Sequence, residues 1–214
     1  MTLDRRRRGT RVAWLTLSVA LLLVATAVLI DARVAGWVAH FKHPVLDSLV
    51  GLLNPIGSGV TLLVMCVGIS AVCRWWPQSR LREAAWLGAL GFACAGLAEF
   101  TLKHLVGRAR PDAADHGLVI WGPTFAPDVD SFPSGHATSV FAVAAVFAAF
   151  YPRVSWLLYA LAAAIALGRV YLERHYVSDI LAGALIGLVV AWALLDHPRV
   201  RRRRTGLTTP SGEV

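Results

Sequence analysis

The stretch VAWLTLSVALLLVATAVLI, Val12 to Ile30, runs for nineteen residues without a charge. As a helix it is long enough to cross a hydrocarbon core about 30 Å thick. Five further apolar runs follow at Gly57 to Cys73, Ala84 to Leu102, Ala137 to Tyr151, Val154 to Gly168 and Ile180 to Leu195. The last three are short enough to be buried helices of a soluble protein. Their polar extensions at Arg169, His175 and Asp179 argue for spans that leave the hydrocarbon at one surface. The fold expected is therefore all-α, a six-helix transmembrane bundle over residues 12–196, with a basic arm at 1–11 and a basic, disordered tail at 197–214.

Composition agrees with that outline. Of 214 residues, 57% are hydrophobic and 16% charged, whereas soluble domains carry roughly 25% charged residues. The net charge of +8 would suit a nucleic-acid binder only if it formed a basic face, and here the arginines cluster where apolar runs stop. With the amino terminus inside and six spans, fourteen of the twenty-one Lys and Arg fall on the inner side. Both termini are thus expected in the cytoplasm of a multi-pass plasma-membrane protein. The Ala25-Thr26-Ala27 triplet resembles a signal-peptide cleavage site, but it lies within a run too long for one. Cys66, Cys73 and Cys94 have no CxxC spacing and read as small buried side chains. Between the first two runs, Val45, Leu46, Leu49, Val50 and Leu53 share a helical face opposite Asp47. That pattern suits a short interfacial helix before the second span, or else a turn-rich connector.

Alternating direction brings four run ends to the outer surface. Lys103 closes the third run, Ser134-Gly135-His136 opens the fourth, Arg169 closes the fifth, and His175 and Asp179 open the sixth. Ionisable groups are expensive near lipid unless they face a cavity or each other. With Arg110, this set is an anion site carrying acid–base chemistry. His175 and Asp179, four apart on a helix, share a face, so the carboxylate can accept from one ring nitrogen and leave the other as nucleophile. Ser134 reads as a helix cap, with Gly135 allowing close backbone approach and amide groups turned to an anion. Glu99, one turn before Lys103, is its natural ion-pair partner. Neutral His175 would attack phosphorus, protonated His136 would donate to the leaving oxygen, and Lys103, Arg110 and Arg169 would hold phosphoryl oxygens. The scheme uses no metal or other cofactor, and Asp112, Asp115, Asp128 and Asp130 in the connector read as solvated or lid charges. The connector itself, Asp112 to Phe132, is long enough to form a lid that includes Trp121, Pro123, Phe125 and Pro127.

Three segments carry a family resemblance. Lys103-x6-Arg110-Pro111, Pro133-Ser134-Gly135-His136 and Arg169-x5-His175-x3-Asp179 resemble, in order and spacing, the three motifs of the type 2 phosphatidic acid phosphatase family. Gly168 stands where the third motif commonly has serine. The resemblance implies a phosphohistidine on His175 oriented by Asp179, His136 as general acid, and phosphate bound by Lys103, Arg110, Ser134, Gly135 and Arg169. It implies a lipid substrate with its phosphate at the outer membrane surface: a phospholipid monophosphate or a polyprenyl diphosphate. The same family includes soluble vanadium haloperoxidases, and the six apolar runs favour the membrane branch. Two other outcomes stand beside hydrolysis: phosphoryl transfer from the same histidine to another acceptor, and a six-span transporter with a phosphate-lined site.

Overall fold

A computed structural model describes residues 2–75, 79–114, 122–126, 128–198 and 200. The described residues form eight α-helices: α1 Thr2–His40, α2 Pro44–Ile56, α3 Gly59–Val72, α4 Ser79–Val106, α5 Pro111–Ala114, α6 Gly135–Phe150, α7 Ser155–Tyr171 and α8 Val177–Asp196, with a 3-10 turn at Pro152–Val154 before α7. All six apolar runs are helical. Among the described residues, four segments are long and apolar enough to cross a membrane: Leu17–His40, Arg80–Ala113, Pro152–Tyr171 and Val177–Asp196. The pair α2 and α3, bent by 52° at its break, makes a fifth if taken together. At sixteen residues, α6 reaches only about 24 Å. Eleven of those sixteen residues are buried, because α3, α4, α7 and α8 pack around it.

The segment anticipated as an interfacial helix or a connector is helical. Its start is fixed by Pro44 at the first position and by His43, whose ring accepts from Val45 N at 3.2 Å. Val50 and Leu53 turn inward, whereas Val45 and Leu49 stay exposed. At the bend that follows, a Cβ on Gly57 would lie 2.3 Å from Ile165 Cγ2 and 3.3 Å from His136 Cδ2. Only glycine lets α2 and α3 approach α6 and α7 so closely there.

The seam that positions the site lies between α6 and α8. Gly183 and Gly187, one turn apart on α8, face the α6 backbone. Added Cβ atoms would come within 2.6 Å of Ser134 O and 2.4 Å of Thr138 O. Small residues at this spacing let two helices in lipid pack backbone to backbone. The start of α6 and the start of α8 are thereby held side by side, with Ser134 N donating to Asp179 O at 3.1 Å.

Two expectations need adjustment. Cys66 and Cys73 are buried, but Cys94 is exposed on the outward side of α4. The chain also continues past α8 in a turn, with Val200 packing against the cluster of Ala84, Leu87 and Ala191. The tail from residue 201, with Arg201 to Arg204, lies outside the described residues, as do Arg199, Asp115, Trp121 and Pro127.

Candidate active site

Helix α4 ends where Gly107 turns the chain at φ +57, a conformation that favours glycine. A Cβ there would meet Gly122 O at 2.1 Å. This turn carries Lys103 on the last turn of α4 and sends Arg108 and Arg110 back over the bundle's end. Lys103 pairs with Glu99 at 2.6 Å, one helical turn earlier, as its spacing predicts. Glu99 also presses on the start of α6, since a Cβ on Gly135 would sit 3.0 Å from Glu99 Oε1. Ser134 caps α6, its hydroxyl accepting from Ala137 N at 3.5 Å.

Several of the candidate residues lie near one another. His136 and His175 lie within electrostatic reach of each other and of both Lys103 and Arg169, and Arg110 lies within reach of Arg169. His136 Nε2 and Arg169 Nε are buried without a hydrogen-bond partner. Buried polar atoms are usually paired, so these two are free to engage a ligand.

Asp179 and His175 relate differently from expectation. Their closest approach, Asp179 Oδ2 to His175 Nδ1, is 3.8 Å, too long for a hydrogen bond. The carbonyl of Ser131 takes the Nδ1 contact instead, at 2.8 Å. A carbonyl only accepts, so Nδ1 carries the proton and Nε2 keeps its lone pair. Asp179 Oδ2 in turn accepts from Ser131 Oγ at 2.6 Å and from Tyr176 N at 2.8 Å. The carboxylate therefore positions the imidazole through Ser131. Burial moves the His175 pKa below the ordinary histidine value, and the Asp179 carboxylate only partly offsets it.

Residues outside the expected set complete the site. Arg108 Nη1 donates to Asp179 Oδ1 at 2.7 Å and Nη2 to Asp31 Oδ2 at 2.9 Å, and its guanidinium lies over the Tyr176 ring, 3.9 Å from the centroid. Asn54 on α2 accepts from Arg169 Nη1 at 2.7 Å. Asp130, read from sequence as a loop charge, accepts from Arg110 Nε and Nη2 at 2.7 and 2.8 Å and lies 3.7 Å from Lys103 Nζ. Asp112 pairs with Arg174 at 2.9 Å. Of the expected lid, residues 122–126 fold back along α4: Gly122 N and Thr124 N donate to Val106 O and His104 O, and the Phe125 ring lies tilted against His104, centroids 4.5 Å apart.

Comparison with known proteins matches this geometry to a family. The model of the PAP2 superfamily covers residues 84–203, more than half of the chain. The chain belongs to the PAP2 superfamily. It is 39% identical over 113 residues to a lipid A 1-phosphatase of Rhizobium johnstonii, covering 50% of this chain and 45% of that protein. It is 32% identical over 148 residues to the putative undecaprenyl-diphosphatase YbjG of Escherichia coli, covering 65% and 73% respectively. The chain spans about half the length of the lipid A 1-phosphatases from Rhizobium that it matches. Among solved structures, the PAP2 fold is shared with the phosphatidylglycerolphosphate phosphatase of Bacillus subtilis at TM-score 0.62 and 22% identity, covering 83% of this chain and 92% of that one. It is shared also with LpxE of Aquifex aeolicus at TM-score 0.60 and 20% identity, covering 78% and 96%. The PAP2 match begins at Ala84, so α1 to α3, with Asp31 and Asn54, stand outside it.

Proposed function

We propose that this PAP2 protein is a six-span plasma-membrane phosphatase that hydrolyses a lipid phosphate or polyprenyl diphosphate at the extracytoplasmic face through a phosphohistidine on His175. The observation that carries the reading is the convergence of two histidines with three cations at one end of the bundle. Phosphoryl transfer requires a nucleophile, a proton for the leaving oxygen, and positive charge on the non-bridging oxygens. Each has a candidate here. Relatives whose names specify lipid A, undecaprenyl diphosphate and phosphatidylglycerophosphate support a lipid carrying phosphate as substrate. The excess of Lys and Arg on the amino-terminal side supports the extracytoplasmic orientation.

In this mechanism the Nε2 lone pair of neutral His175 attacks phosphorus in line with the bridging oxygen. The bond from phosphorus to that oxygen breaks, and His136 donates its proton to the leaving group. Lys103, Arg110 and Arg169 hold the three other oxygens, with backbone amides at Ser134 and Gly135 turned to the same anion. His136, now neutral, takes a proton from water as the water attacks the phosphohistidine. Inorganic phosphate leaves, and His175 regains its lone pair while Nδ1 keeps its proton throughout. Each step is carried by the chain's own groups, so activity in excess chelator is expected to equal that without it.

A panel of purified lipid monophosphates and diphosphates, presented in vesicles with His175→Ala as the blank, tests the reading. Release of phosphate by the wild type alone, and an acid-labile phosphoenzyme that accumulates in His136→Ala, are the expected results. Undiminished release by His175→Ala would refute the nucleophile.

A further inference from the structure

Asp31 is the one ionisable side chain in the Leu17–His40 span that is buried, at 2% exposure. A carboxylate there is costly unless it is paired and hydrogen-bonded. Asp31 is fully engaged. Oδ1 accepts from Ser178 N at 3.0 Å, and Oδ2 accepts from Arg108 Nη2 at 2.9 Å and from the Ser178 hydroxyl by a short contact. Ser178 Oγ also accepts from Arg108 Nη1 at 2.7 Å. Arg108 is therefore held between two carboxylates, Asp31 on α1 and Asp179 on α8.

From Arg108 two routes lead to the nucleophile. Its guanidinium holds Asp179, which accepts from the Ser131 hydroxyl, while its backbone carbonyl accepts from Ser131 N at 2.9 Å. Ser131 then presents its own carbonyl to His175 Nδ1. We propose that Asp31 is a positioning residue for His175, acting through Arg108, Asp179 and Ser131 to fix the imidazole tautomer and to hold negative charge near the ring. The inference rests on the phosphohistidine reading and extends it to a helix that the PAP2 match does not cover.

The charge balance gives the sign. Asp31, Arg108 and Asp179 together carry −1, and Asp31→Asn makes that sum zero. The imidazole also faces Lys103 from α4, Arg169 from α7, His136 from α6 and Asp130 from the connector, none of which the substitution changes. Positive charge develops on the ring as Nε2 bonds phosphorus, so losing the Asp31 charge disfavours that state more than substrate binding.

The test compares full-length wild type, Asp31→Asn and Ser178→Ala, purified from membranes. With the panel substrate that the wild type cleaves, Asp31→Asn is expected to lower kcat on the order of 10- to 100-fold with KM within about twofold. Independently of turnover, ¹⁵N-histidine NMR, with His175 assigned by its loss in His175→Gln, is expected to show its titration at lower pH in Asp31→Asn. If Asp31→Asn fails to insert, Ser178→Ala carries the test through a kcat loss of several-fold at unchanged KM. Unchanged kcat and an unchanged His175 titration in the variant that folds would overturn the proposal, even if thermal stability fell. A wild type that cleaves no lipid phosphate would sink the phosphatase reading alone, and the NMR comparison would still decide the role of Asp31.

Discussion

Asp130 grips Arg110 with both carboxylate oxygens, at 2.7 and 2.8 Å, and reaches toward Lys103 at 3.7 Å. A carboxylate thus lies on two of the three cations assigned to phosphate. Carboxylate and phosphate both take bidentate contacts from arginine, and they compete for the same donors. Asp130→Asn removes the competing charge, so orthovanadate is expected to inhibit the variant at roughly fivefold lower concentration, the equivalent of about 1 kcal/mol for a partly exposed ion pair. Weaker inhibition would show that Asp130 chiefly holds the cations in place. Burial raises the Asp130 pKa, but Arg110 and Lys103 outweigh it and hold the carboxyl below the ordinary carboxylate range. Its stabilising contribution is present above the unfolded carboxylate pKa of about 4 and is lost only as pH falls through the lower folded value.

The pH dependence of turnover follows from His175. Its burial disfavours the imidazolium, so the neutral, nucleophilic form persists below the usual histidine pKa of about 6.5. The acid limb of kcat/KM is expected below that pH. Asp179→Asn removes the carboxylate that favours the charged ring and should move the acid limb lower still, alongside a loss of rate. An acid limb above about pH 7 would exclude His175 as the group that titrates there.

What the sequence made legible depended on where polarity interrupts grease. Lys103, Ser134, Arg169 and His175 stand at the ends of apolar runs, so alternating helices alone brought them together. Asp31 follows an apolar run in the same way, yet one carboxylate at a run's end reads as a boundary, and its partner Arg108 lies seventy-seven positions away. Asn54 is a neutral residue in a segment read for its apolar face. The spacing of His175 and Asp179 gave their shared face, but it could not reveal that the Ser131 carbonyl occupies the space between them. The six runs predicted helices well, whereas span number depends on depth, and the short α6 owes its burial to neighbours.

Asn54 supplies a direct test of the α2 contribution. Its side-chain oxygen accepts from Arg169 Nη1 at 2.7 Å, while Arg169 Nε has no protein partner. Loss of one neutral-to-charged hydrogen bond is worth about 1.5 to 3 kcal/mol. Because the guanidinium remains present, only part of that loss should reach the substrate. Asn54→Ala is expected to raise KM by about tenfold with kcat changed less than threefold, measured by steady-state kinetics on the same lipid phosphate. A fall in kcat at constant KM would instead place the contact in the transition state.

The α6–α8 seam predicts a failure of geometry. A methyl on Gly187 would lie 2.4 Å from Thr138 O and 2.8 Å from Ala142 N, both backbone atoms. The helices must separate to admit it, which shifts Ser134 and His136 relative to His175. Gly187→Ala is expected to lose activity on the order of 100-fold and about 1 to 3 kcal/mol of stability. Gly96→Ala on α4, where a Cβ would meet nothing within 4 Å, is the control and should retain both. Thermal unfolding and phosphate release on the two variants check the contrast.

Gly168 departs from the serine that the third motif commonly carries, and α2 supplies a reason. A Cβ at this position would sit 3.2 Å from Val50 Cγ1 and 3.6 Å from Val50 Cγ2. Val50 is itself buried in the face that α2 turns inward. Gly168→Ser therefore overpacks the contact between α2 and α7, and it also places a hydroxyl next to two methyl groups. The expected result is lower thermal stability, by about 1 to 3 kcal/mol, with no gain in activity. Combining it with Val50→Ala removes both crowding methyls and should recover most of that loss, a coupling that a double-mutant cycle measures directly. Additive losses would show that the glycine answers to the backbone of α7 and not to Val50.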